Sequence, residues 1–321
     1  MNTDRTAATW WNRLNLAFDE LFILIALLLL IAFFSVTADN FFSTGTLSAI
    51  LSQLPALTVV TIGMTLVLIS GGIDLSVGSV VALSGAVIGV AFTVLGLPLF
   101  VAACLGIVAG GCAGLVNGVL GSYLRLPIFI VTLGMLEVGR GLAYMVTGSQ
   151  TAYIGPSIQP LALPIDVLGV SPAFLLSLGL VVLAQLALTR TVFGRYLIAI
   201  GTNEQAAKIS GIRTEPYLTW VLVISGLLAG VGGLMNTAYL GASDPNAALG
   251  LELSAIAAAV IGGTSLMGGR GSIVGAFIGV LIISVLQNGL AQLGVSEPSK
   301  RLITGLVIIL AVLLDRWRSH S

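Results

Sequence analysis

The sequence predicts an all-α, polytopic membrane protein with about ten transmembrane helices. Three observations predict it. Of 321 residues, 57% are hydrophobic and only 8% are charged, and the mean hydropathy is +1.10. A soluble domain carries roughly 25% charged residues, so this chain has too few to coat a water-facing surface. Apolar runs also recur almost without pause from Leu21 onward, many near the roughly 20 residues a bilayer crossing needs. The 40 glycines, finally, suit helices packed closely in lipid. A formal net charge of zero argues against nucleic acid as a partner and leaves membrane lipid as the surrounding medium.

Ten apolar spans follow in order, at about 21–37, 47–69, 75–96, 97–121, 126–147, 172–190, 215–240, 251–263, 270–293 and 300–314. The first comes after Arg5 and Arg13 and resembles a signal peptide. No small-residue cleavage site follows it, so it reads as a retained membrane helix. The third and fourth meet at the tight turn Leu95-Gly96-Leu97-Pro98, and the eighth is short. Starting inside and alternating, ten of the thirteen basic residues fall on the cytoplasmic side. They are Arg5, Arg13, Arg125, Arg190, Arg195, Lys208, Arg213, Arg270, Arg316 and Arg318. Residues 141–189 carry no Lys or Arg, as an external loop with its flanks should. This predicts a cytoplasmic N-terminal segment 1–20, a transmembrane domain 21–314 with a cytoplasmic loop 190–214, and a cytoplasmic tail 315–321.

That loop contains "GTNEQAAKISGIR", residues 201–213, which reads as a short polar helix. Thr202 is the expected N-cap with Gln205 three residues on, as in a capping box. Gly211 is placed to end the helix in a left-handed turn. Ala206, Ala207 and Ile209 are small or apolar, which suits a partner's surface better than water. A loop helix held by lipid headgroups remains the alternative.

An internal echo links the two halves. "ISGGIDLSVGS" at 69–79 matches "VIGGTSLMGG" at 260–269, with Gly71, Gly72, Leu75 and Gly78 opposite Gly262, Gly263, Leu266 and Gly269. Gly78-Ser79 is also aligned with Gly271-Ser272, so the second copy carries two extra residues. Such glycine-broken hairpins in corresponding positions point to a translocation pathway. They also suit plain tight turns. Polar candidates for that pathway are Asp74, Asn117, Asn236 and Thr264, beside Gly71, Gly72, Gly262 and Gly263. Asp74 equally suits the start of span three as a cap. The amides Gln53, Asn117, Asn236, Gln287 and Asn288 suit either a hydroxylated solute or neighbouring helices. Glu137 and Arg140, three apart on span five, are expected to pair and neutralise each other. As ionisable groups in lipid they are also functional candidates. Cys104 and Cys112 sit in one apolar run and read as packing residues. A single histidine, His320, leaves no histidine-based metal cluster.

No phosphate-binding loop exists, since neither Lys208 nor Lys300 has the glycine context, and no protease or hydrolase motif appears. The chain is therefore expected not to be an enzyme and to bind no cofactor itself. Two transport readings remain. An ion-coupled secondary transporter of a small neutral polar solute would work through Asp74 or Glu137. A permease subunit driven by a separate ATPase would need a docking helix and few buried carboxylates. The capped helix favours the second.

At "SGGIDLSVGS", "GTNEQAAKISGI", "AIAAAVIGGTSLMGGRGSIVG" and "RLITGLVIILAVLLD" the chain resembles the permease subunits of bacterial sugar ABC importers, in particular their ribose branch. The resemblance implies a homodimer in the bacterial inner membrane that carries a monosaccharide. A cytoplasmic ATPase subunit, holding ATP and Mg, would bind below, and a periplasmic sugar-binding protein would dock above. It also implies a coupling helix over Asn203, Glu204, Gln205, Ala206, Ala207, Lys208, Ile209, Ser210 and Gly211.

Overall fold

A computed structural model describes residues 21–165 and 169–320, and it is almost entirely helical. The helices are α1 (Leu21–Thr37), α2 (Thr44–Ile69), α3 (Val77–Thr93), α4 (Leu99–Ser122), α5 (Ile128–Thr147), α6 (Pro172–Arg190), α7 (Val192–Thr202), α8 (Glu204–Ile209), α9 (Thr214–Leu240), α10 (Leu251–Ile261), α11 (Ile273–Gln292) and α12 (Glu297–His320). Each predicted apolar span coincides with one helix. Six of them, α2, α4, α5, α6, α9 and α11, are long and apolar enough to cross a bilayer unaided. At 1.5 Å per residue the 26 residues of α2 reach about 39 Å. The predicted segment 1–20 lies outside the described residues, and α12 continues as helix through residues 315–320.

The helix ends follow local chemistry. Ser43 Oγ accepts from the Thr46 N–H at 3.1 Å and starts α2, and Ser171 Oγ accepts from Phe174 N–H at 3.2 Å and starts α6. α5 and α9 end on glycines in the left-handed region, Gly148 and Gly241. Prolines 98 and 127 stand just before α4 and α5, where a missing N–H costs nothing.

Burial sorts the helices into layers. α2, α9 and α11 bury most of their length, whereas α4, α5 and α6 bury less than a third of theirs. Close contact between α4 and α9 depends on absent side chains. Gly110, Gly114 and Gly118 recur every four residues along one face of α4, and a Cβ on any of them would collide with the backbone of α9 at Gly226, Leu222 or Thr219. Cys104 and Cys112 on the same helix are exposed and unpaired, contrary to their expected packing role.

Two elements depart from the sequence reading. The loop 190–214 holds a second helix, α7, capped by Thr191 Oγ1 accepting from Gly194 N–H at 3.3 Å. Gly194, Leu197 and Ile200 bury one side of it, so it lies against the bundle. The segment 241–250 is also more than a loop. Ala242–Ser243 pairs antiparallel with Ala152–Tyr153 as a two-stranded ribbon. The chain then passes along α3: a Cβ on Gly89 would stand 2.6 Å from Ser243, and one on Gly78 would stand 2.8 Å from the Ala248 carbonyl. Gly78 and Gly89 lie on one side of α3 and open a groove for this non-helical backbone, while Gly85 makes room for Thr237 of α9. Irregular backbone inside a membrane bundle persists only where protein satisfies it.

Candidate functional site

The short polar helix and the two glycine breaks meet at one end of the bundle. α8 is capped by Asn203, whose Oδ1 accepts from Ala206 N–H at 2.9 Å, while Thr202 is the last residue of α7. The cap is one residue later than the sequence suggested. Thr202 instead turns its hydroxyl back onto the Ile198 carbonyl at 2.8 Å. Gly211 has φ +87, the left-handed turn expected of it. Lys208 bridges Glu204 at 2.7 Å and Glu215 of α9 at 3.5 Å, and the Thr214 hydroxyl donates to Glu204 at 3.0 Å. The hydrogen bond that Lys208 donates to Glu204, with that carboxylate's charge, holds the ammonium above its ordinary pKa. α8 is thus tied to the start of α9.

Its two sides differ. Ala207 is 5% exposed and packs with Ile200 and Leu218. The expectation that Ala207 shares an outward contact face is therefore corrected: it anchors α8 to its own chain. Ile209 is 89% exposed. Asn203, Glu204, Gln205, Ala206, Lys208, Ser210 and Gly211 are exposed with it.

The first break follows α2. Ser70 caps the helix, Gly71 takes φ +84, and Gly72 N–H returns to the Val67 carbonyl at 3.0 Å. The second repeats this at the end of α10, where Gly262 caps, Gly263 takes φ +86, and Thr264 N–H returns to the Ala259 carbonyl at 2.9 Å. Gly71 is thus the counterpart of Gly263, one register away from the alignment by identity. The left-handed residue after the cap fixes the match, and the letter pattern does not. The N-caps Ser76 of α3 and Ser272 of α11 are the corresponding restarts, so Ser272 does not answer to Ser79. Gln185 of α6 adds a cap that the sequence did not reveal, its Oε1 accepting from Ile273 N–H at 2.8 Å.

Asp74 sits inside the first break, 2% exposed. Its Oδ1 accepts from Ser76 N–H at 3.0 Å and from Ser76 Oγ at 2.6 Å, and its Oδ2 accepts from Ser225 Oγ of α9 at 2.9 Å. Asn117 of α4 donates to Ser76 Oγ at 3.0 Å. One carboxylate therefore joins the break to two helices. Other candidates divide. Thr264 is buried, Asn236 is half-buried on α9, and Gln53 donates to Tyr239 at 3.0 Å.

The expected Glu137–Arg140 pair does not form. Arg140 Nη1 donates to the Pro245 carbonyl at 2.7 Å and to the Ala247 carbonyl at 2.8 Å. The guanidinium is drawn to two carbonyls of the non-helical segment, which have no helix to satisfy them. Glu137 stays exposed on α5. Tyr144 donates to Asn246 Oδ1 at 2.6 Å and fastens the same segment. Glu252 and Asp244 bring further negative charge toward Arg140. Nothing in the local pattern of 241–250 announced this cluster.

A bundle of long apolar helices, broken twice by glycine and carrying one polar helix at its end, defines a multi-pass membrane permease. More particularly, the chain belongs to the family described as branched-chain amino acid transport system / permease component, which residues 46–312 match. Among its relatives, the ribose import permease protein RbsC of Escherichia coli K12 is 40% identical over 304 residues, covering 91% of this chain and 92% of that one. The D-allose transport system permease protein AlsC of the same strain is 36% identical over 310 residues, covering 96% and 93%. The fructose import permease protein FrcC of Rhizobium meliloti is 34% identical over 304 residues, covering 92% and 84%. No solved structure gives a significant match. The resemblance drawn from the four sequence stretches is borne out.

Proposed function

We propose that this chain is the membrane subunit of an ATP-driven importer of a neutral monosaccharide, ribose or a related sugar. Its ATPase is a separate subunit, and a periplasmic binding protein delivers the sugar. The observation that carries the reading is α8. It is a capped polar helix, tied to α9 by the Lys208–Glu215 ion pair and the Thr214–Glu204 hydrogen bond, with Ile209 exposed at its end. The names of the relatives, import permeases for ribose, allose and fructose, supply the substrate class. In this reading all ten apolar helices cross or enter the inner membrane, both termini are cytoplasmic, and the α8 end faces the cytoplasm. The chain works as two copies. Glu137 and Asn246 are exposed on the α5 side of the monomer, where lipid would charge heavily for them. A water-filled path between two copies accommodates them. Sugar hydroxyls would pass this polar face, with the glycine breaks at the path's cytoplasmic end.

Asp74 speaks against ion coupling, since its two oxygens already accept three hydrogen bonds in a buried setting. The docking reading is tested with Ile209→Glu in a complex purified through the permease. Loss of the ATPase subunit, with the permease still inserted, is the expected result. Normal ATPase yield would sink the assignment of α8.

A further inference from the structure

The end of the bundle that carries α8 has another exposed apolar side chain, and it stands on the second glycine break. Met267 is 83% exposed, in the turn between α10 and α11. The turn is rigid. Ser265 N–H donates to the Arg270 carbonyl at 3.1 Å, Met267 N–H to Ser265 Oγ at 3.2 Å, and Gly268 N–H to the Ser265 carbonyl at 3.3 Å. A large apolar residue held in the open on a pre-formed turn is organised for contact. Arg270, beside it, is exposed and forms no ion pair among the described residues.

The turn is joined to the coupling helix. A Cβ on Gly268 would stand 2.7 Å from the Gly201 carbonyl, and one on Gly269 would stand 2.5 Å from Thr202 Oγ1. Gly201 and Thr202 are the last two residues of α7, directly before the Asn203 cap. Gly268 and Gly269 have φ of +84 and +75, so a side chain here is strained as well as blocked. Gly269 N–H also donates to the Ile69 carbonyl at 2.9 Å, where α2 ends and the first break begins. Both breaks and the start of the coupling helix therefore share one backbone junction.

We propose that the turn Ser265–Arg270 is a second seat for the ATPase subunit, with Met267 as its anchor. Together with α8 it forms one two-pronged docking surface. The partner's surface has an apolar pocket for each of Met267 and Ile209 and acidic groups for Arg270. Through Gly201, Gly268, Gly269 and Ile69, a displacement of that surface reaches both breaks together. The proposal rests on the assignment of the α8 face to the ATPase.

The test titrates purified ATPase subunit onto the full permease in nanodiscs. Met267→Glu is expected to weaken binding about tenfold or more, the loss of one interface anchor, and Met267→Leu to keep it near normal. Unchanged binding by Met267→Glu, while Ile209→Glu abolishes it, overturns the second seat and leaves the coupling helix standing. Unchanged binding by both variants overturns both. A second measurement is independent of any loss of folding. Met267→Cys, in a chain lacking Cys104 and Cys112, carries a benzophenone maleimide through photolysis. A covalent adduct with the ATPase subunit supports the seat. An adduct with a second permease copy alone, or none, overturns it.

Discussion

Replacing Asp74 separates a structural carboxylate from a coupling one. In Asp74→Asn the retained Oδ1 keeps both Ser76 donors, now at 3.0 Å and 2.6 Å. The new Nδ2 faces Ser225 Oγ at 2.9 Å, where the hydroxyl turns and accepts in place of donating. Three hydrogen bonds remain three, so the cost is about 1 kcal/mol or less. Asp74→Ala removes all three and strands one N–H and two hydroxyls in a buried site. At ~1 kcal/mol per bond, the loss is about 3 kcal/mol, and more with each donor left unsatisfied. The assay is thermal unfolding in detergent, paired with ATP-driven sugar uptake in proteoliposomes. The Asn variant is expected to unfold near the wild-type temperature and to transport. The Ala variant should unfold early or fail to accumulate. An Asn variant that folds normally yet loses uptake would refute the reasoning, because a proton-carrying Asp74 would then be required.

Ala207→Glu buries an unpaired carboxylate against Ile200 and Leu218; α8 should come off its own chain, seen as new protease cleavage near residue 205 in the isolated permease. Arg140→Gln frees the Pro245 and Ala247 carbonyls and should cost about 2–3 kcal/mol of stability; unchanged thermal unfolding would contradict the role assigned to Arg140. Gly226→Leu drives a side chain into the Gly110 carbonyl, and membrane accumulation should collapse, whereas Gly134→Leu, with open space around it, should accumulate normally. Lys208 has its pKa raised, so its ties to Glu204 and Glu215 are complete below the ordinary lysine value of 10.5 and fade only above it; ATPase association should therefore be flat from neutral to mildly alkaline pH. Cysteines at Thr202 and Ser157, in a chain lacking Cys104 and Cys112, should be labelled in intact spheroplasts by an impermeant maleimide at 157 alone.

Much of this was legible because it is local. Every apolar span became a helix, since length and composition suffice to fix one in lipid. The glycine pairs marked both breaks, because a left-handed residue after a helix end needs glycine. What could not be read was pairwise and distant. The Gly71–Gly263 match depends on where each helix ends, which letter identity does not encode. α7 was missed although Gly194, Leu197 and Ile200 repeat at helical spacing after the Thr191 cap, because Arg195, between Arg190 and Lys208, drew it into the loop. The path of 241–250 follows α3: Gly78 and Gly89 fall on one face, eleven residues apart, a pair with no meaning until its occupant is known. The Glu137–Arg140 spacing suggested a pair, but two unsatisfied carbonyls over a hundred residues away compete better for the guanidinium. The junction of Gly201 with Gly268 joins three separate parts of the chain and leaves no local trace.

The central claim is that ATP on a partner subunit, and no ion gradient, drives a sugar through this chain. The most direct measurement is uptake of labelled ribose into proteoliposomes that hold the permease, its ATPase and its binding protein. Uptake should require ATP on the side of α8 and persist at full rate when proton and sodium gradients are collapsed by ionophores. Uptake by the permease alone, driven by either gradient in the absence of ATP, would contradict it.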